Sequence, residues 1–171
     1  MIAIIDTFHR PKWRSIVLIT LAFWLSGSLL LDLVIMPGLF ASGMMTEPGF
    51  AAAGYSIFGV FNRVELLCAA IALTGILILR TTEKPVSRGS YWATPLSLGL
   101  LAIALIYTYV LTPEMCALGI HLNLFESTAI VPALMDQMHG EYWGLELFKL
   151  VATSALLILF YRNRELSFKK L

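Results

Sequence analysis

The chain has 171 residues, 58% hydrophobic and 13% charged, with a mean hydropathy of +0.81 and a formal net charge of +1. A water-soluble domain of this length needs far more polar surface to cover its core, so lipid must be the solvent for much of it. The near-neutral charge gives no basis for a nucleic-acid partner. Two cysteines, Cys68 and Cys116, are too few for a disulfide framework, and one lies in an apolar run while the other lies in a connection.

Arg10, Lys12 and Arg14 precede a first apolar stretch, Ser15 to Pro37. Further stretches run from about Tyr55 to Leu79, Tyr91 to Leu111 and Tyr142 to Tyr161. Each is long enough to cross a hydrocarbon core, which takes about 20 helical residues. Only helices satisfy their own backbone groups in lipid. The expected fold is therefore all-α, a four-helix transmembrane bundle filling residues 1–171 as one integral membrane domain.

The connection 38–54 is rich in Gly and Pro and reads as irregular. In the connection 112–141, PEMCALGIHLNLF reads as a short outer-side helix, about 113–126, lying at the surface or folding back over the bundle. Neither connection contains Lys or Arg. Ten of the twelve basic residues fall at the chain termini or around the link between the second and third spans, which makes that side cytoplasmic. The expected location is a bacterial inner membrane, or an internal membrane such as the thylakoid in a photosynthetic source, with both termini cytoplasmic. The rival reading, a cleaved leader ending near Ala41, is disfavoured because the apolar run is too long for one and holds Asp32. Trp13, Tyr91, Trp92, Tyr142, Trp143 and Tyr161 stand at span ends, as an interfacial aromatic belt should.

The two halves of the chain look alike. Setting FGVFNRVELLCAAIALTGILIL, from Phe58, over HGEYWGLELFKLVATSALLILF, from His139, matches Glu65 with Glu146 and Leu66 with Leu147. Pro37 closes the first span as Pro113 closes the third. Two tandem in-out-in hairpins related by an axis along the membrane normal would give this pattern.

Asp32, Arg63, Glu65, Glu146 and Lys149 all fall inside spans, roughly 18–26 Å from the cytoplasmic ends by helical rise. Charges in lipid are tolerated when paired or wetted, so these five are expected to face inward as one network. His139, Tyr142, Glu146 and Lys149 share one helix face by spacing, and Asn62 adds an amide beside Glu65. Arg63 points nearly opposite to Glu65, towards Asp32 or outward to the interface. Such a network either fixes helix register or holds a proton, ion or small solute.

Met44, Met45, Cys116, His121, Met138 and His139 fall on the outer side, and thioether, thiol and imidazole are ligands that Cu(I) prefers. No strict metal motif accompanies them, and methionine is also an ordinary filler of apolar gaps. No two histidines stand at facing mid-span positions for haem. No nucleotide loop, nucleophile elbow or HExxH motif occurs, so the chain is not expected to be an enzyme.

FNRVEL in the second span and HGEYWGLELFKL opening the fourth resemble a domain-of-unknown-function family of small bacterial membrane proteins that includes eukaryotic transmembrane protein 205. The resemblance covers nearly the whole chain and is most specific from His139 to Lys149. It implies a four-span bundle, no established activity, and a link of the eukaryotic member to metal-drug tolerance. The leading expectation is a non-enzymatic protein of the bilayer whose acid–base cluster serves transport, sensing or binding of a small cation. The alternatives are an assembly subunit, offering Ala69, Ala72 and Gly75 to a partner helix or a second copy, and copper handling at the outer face.

Overall fold

The computed structural model describes residues 13–44, 49–82, 90–125 and 133–168. Six α-helices follow one another: α1 (Trp13–Leu30), α2 (Met36–Ala41), α3 (Phe50–Thr82), α4 (Ser90–Ile106), α5 (Thr112–Phe125) and α6 (Ala133–Phe168). Five-residue π-helical turns, Leu31–Ile35 and Tyr107–Leu111, join α1 to α2 and α4 to α5. Four continuous stretches are long and apolar enough to cross a membrane: Trp13–Ala41, Ala52–Thr82, Tyr91–Leu118 and Gln137–Arg162. The protein is an all-α four-helix bundle built for the bilayer.

Two boundaries differ from expectation, and both involve proline. A proline lacks the N–H that would bond the carbonyl four residues back, and its ring crowds that carbonyl. Pro37 and Pro113 nevertheless do not end their spans; each is the second residue of a helix that follows a π turn. There the chain bonds five residues back, Met36 N–H to the Leu31 carbonyl and Thr112 N–H to the Tyr107 carbonyl. The wider turn takes up the proline without breaking the helix. The first span thus runs on to Ala41, where Gly43, at φ +72°, supplies the left-handed residue that closes a helix. The expected separate helix at 113–126 is instead the continuation of the third span, packed against α3 and α6. A π turn followed one residue later by proline occurs at the same place in both hairpins, as a repeated unit would have it.

The spans form a ring in which α1 and α4 each pack against α3 and α6. Towards the termini the interior is apolar, with Val17, Leu21, Ala69, Ala72, Ile76, Leu100, Ala152 and Leu156 in one cluster. Lipid is as apolar as leucine, so close packing rather than water exclusion holds this layer, and small residues let the backbones approach. Gly75 shows how close: a Cβ built there would lie 2.4 Å from Val17 Cγ2. Ala69, Ala72 and Gly75 are all buried within the chain, Gly75 against the first helix, and are not a free face for a partner.

Candidate cation site

Polar side chains occupy the other half of the ring, near the helix ends that flank the connections 38–54 and 112–141. Trp24, Ser28 and Asp32 are spaced i, i+4 and i+8 along the first span, and all three are buried. Glu65 comes from α3, and Tyr142, Glu146 and Lys149 from α6. Trp24 Nε1 donates to Glu65 Oε1 at 2.9 Å, Ser28 Oγ at 3.1 Å and Lys149 Nζ at 2.5 Å, so one oxygen takes three donors. Lys149 Nζ also lies 2.7 Å from Glu146 Oε2 and 5.3 Å from the centre of the Tyr107 ring. The single Tyr107 hydroxyl proton is shared between Glu146 Oε2, at 3.2 Å, and the Tyr142 carbonyl, at 3.1 Å. Tyr142 turns inward from the expected interfacial belt and donates to Asp32 Oδ1 at 3.2 Å.

The charge count does not close. Asp32, Glu65, Glu146 and Lys149 are at most 5% exposed, and fully ionised they carry three negative charges against one positive. Each carboxyl accepts from a side-chain donor through one oxygen only, Asp32 Oδ2, Glu65 Oε2 and Glu146 Oε1 having none. The Asp32 and Glu146 carboxyls lie within hydrogen-bond reach of each other, so that one proton can be shared between them. A buried carboxylate oxygen without a partner is costly, and an uncompensated buried charge more so. Among the described residues no further buried Lys or Arg supplies the missing positive charge.

Arg63 does not supply it. Its side chain is exposed on α3, outside the network, as its two-residue offset from Glu65 requires. The expectation of a five-membered network is corrected to four charges with tyrosine, tryptophan and serine as donors. Asn62 is buried but serves the π turn: its amide donates to Thr112 Oγ1 at 2.7 Å and to the Tyr107 carbonyl at 3.3 Å. Trp24, Ser28 and Tyr107 escaped the sequence reading because none is charged. The four-residue spacing of the first two with Asp32 was the available signal.

Beside the cluster lies a cavity of about 560 Å³, and Asp32 and Tyr142 form part of its wall. Most of the remaining wall is apolar, with Phe40, Phe58 and Trp143 among its members. The cavity reaches the network through Asp32; Glu65 and Glu146 do not line it. Cys116 and the exposed His139 also line it, next to Met36 and Met115. Of the expected copper set, Cys116 and His139 share the cavity wall, and Met44 and Met138 are not part of it. Met45 and the His121 side chain lie outside the described residues. No group of three or more His, Cys, Asp and Glu is placed to hold a metal ion among the described residues.

No protein-family profile, curated protein or solved structure matches the chain.

Proposed function

We propose that this membrane protein binds a proton or small cation at the Asp32–Glu65–Glu146–Lys149 cluster and moves or senses it from the cavity side. The observation that carries the reading is the surplus of buried carboxyls over cations, with Asp32 and Glu146 placed to share a proton. A network serving only to fix helix register has no need of that surplus, because two carboxyls around Lys149 already complete its ion pairs. Two buried hydroxyls without partners, Ser97 Oγ and Thr153 Oγ1, provide further polar positions in the apolar half; Thr153 stands one helical turn from Lys149. The competing assembly reading loses the small-residue face on which it rested, since that face packs within the chain. The basic termini and the basic link 80–88 orient the cavity away from the cytoplasm of a bacterial inner membrane. The resemblance to the transmembrane protein 205 family is compatible with this layout and adds no chemistry to it.

Infrared spectroscopy of the purified protein in nanodiscs, combined with elemental mass spectrometry, tests the reading. The expected result is a protonated-carboxyl band that responds to bulk pH and is altered in Glu146→Gln and Asp32→Asn, or a stoichiometric cation that exchanges with added salt. A cluster that shows neither, or a protonated band indifferent to pH and salt, is a locked structural network and ends the proposal.

A further inference from the structure

The cavity wall bears on the kind of cation. Hard metal ions take about six or more oxygen ligands, or keep part of their water. Here the wall offers one carboxyl, Asp32, with one imidazole, His139, and most of the other surface is apolar or aromatic. An organic cation has the opposite needs. Its charge is spread over carbon-bearing groups, it sheds water easily, and it gains from aromatic faces and apolar contact. The volume, about 560 Å³, is that of a drug-sized molecule, within the roughly 300–1,000 Å³ common to small-molecule sites. Asp32 is 5% exposed, lines this space, and holds Oδ2 without a donor. The two connections flanking the cavity carry Glu47, Glu114, Glu126, Asp136 and Glu141 and no Lys or Arg, a balance that concentrates cations at this end.

We propose that the cavity binds a lipophilic organic cation, with its charged centre at Asp32 and its apolar body against Phe40, Phe58 and Trp143, in exchange for a proton. Entry of the cation at Asp32 releases one proton from the cluster to water, so the charge of the cluster plus occupant is unchanged. The inference rests on the cation-exchange reading above and names the substrate class for it.

Tetraphenylphosphonium and tetraphenylborate have nearly the same shape and opposite charge, which makes them a suitable pair of probes. Calorimetric titration of the protein in nanodiscs, against empty nanodiscs, is expected to show one phosphonium bound per chain and no saturable borate binding. Phosphonium affinity should fall as the pH is lowered, because protons compete with the cation at Asp32 and its neighbour Glu146 and add positive charge at His139 on the same wall. Asp32→Asn keeps an acceptor for Tyr142 and should weaken binding about thirtyfold or more, the loss expected when one partner of a desolvated charge pair is removed. Gly54→Phe should abolish binding with Asp32 intact, since Gly54 lines the cavity and a Cβ there meets open space. Equal binding of both probes, unchanged affinity in Asp32→Asn, or a co-purified phospholipid that phosphonium does not displace would overturn the proposal. Absent phosphonium binding with the pH-responsive infrared band intact removes the organic cation and leaves the proton site. Loss of both removes the reading beneath it.

Discussion

Lys149 is the one buried Lys or Arg among the described residues, and it stands between two carboxylates with Asp32 nearby. Its removal and the removal of one acid are therefore unequal changes. Lys149→Met fills similar space but leaves three buried carboxyls without a cation, and should cost about 3–5 kcal/mol, as breaking a buried pair from one side does. Glu146→Gln takes away part of the surplus negative charge and leaves Lys149 paired with Glu65, so it should change stability by no more than about 1 kcal/mol. Thermal unfolding in mild detergent ranks the two. A Lys149→Met protein as stable as Glu146→Gln would show that the cluster is already neutralised by something other than the lysine. Arg63→Gln serves as a control, because Arg63 is exposed and outside the network; its effect should stay within about 0.5 kcal/mol.

Among the elements, the contact between α1 and α3 is the tightest point with a single-residue handle. A methyl on Gly75 would sit 2.4 Å from Val17 Cγ2, and a β-branched valine in a helix has little freedom to turn away. Gly75→Ala should thus lower stability by about 1–3 kcal/mol despite alanine's better helix propensity. Val17→Ala in the same chain should recover part of that loss, with a coupling of about 0.5–3 kcal/mol between the two sites. Gly140→Ala, exposed on α6 with nothing within 4 Å of its Cβ, should be neutral or slightly stabilising. Strictly additive effects at positions 17 and 75 would mean that the helices simply move apart. The spans themselves were legible from hydropathy and length, which depend on composition alone. Their ends were not, because Pro37 and Pro113 are helix breakers by rule, and only the π turns before them show how the helix passes through. The charged members of the site were legible as intramembrane charges. Their surplus over cations became visible only once Arg63 was seen to face outward, and the cavity at Asp32 is assembled from four separate segments that no local pattern links.

At the scale of the whole molecule, an even number of spans would bring the start of the first, Trp13, and the end of the last, Arg162, to the same side of the bilayer, whichever way the bundle is inserted. Direction is then a matter of charge. In the sequence, Arg80, Lys84, Arg88 and the basic residues near both termini flank one set of span ends, while the connections 38–54 and 112–141 between the others carry five carboxylates and no Lys or Arg. Retention of basic residues on the cytoplasmic side predicts that a fluorescent-protein fusion after Leu171 is bright in a bacterial host, and that alkaline phosphatase inserted at 45–48 is active. The opposite pair of signals would place Asp32 and its cavity in contact with the cytoplasm. The distinction matters for the direction of exchange. With the cavity outward, Asp32 meets the more acidic side of an energised membrane, so protons are offered where an organic cation would be released. With the cavity inward, the same carboxyl would meet the less acidic side and favour loading. A shift of basic residues should flip the signals if charge alone sets direction: Arg80, Lys84 and Arg88 to Gln, with Lys added at 45–48. Unchanged signals in that variant would mean that the N-terminal basic residues set the insertion of the first span, and that the other spans follow it.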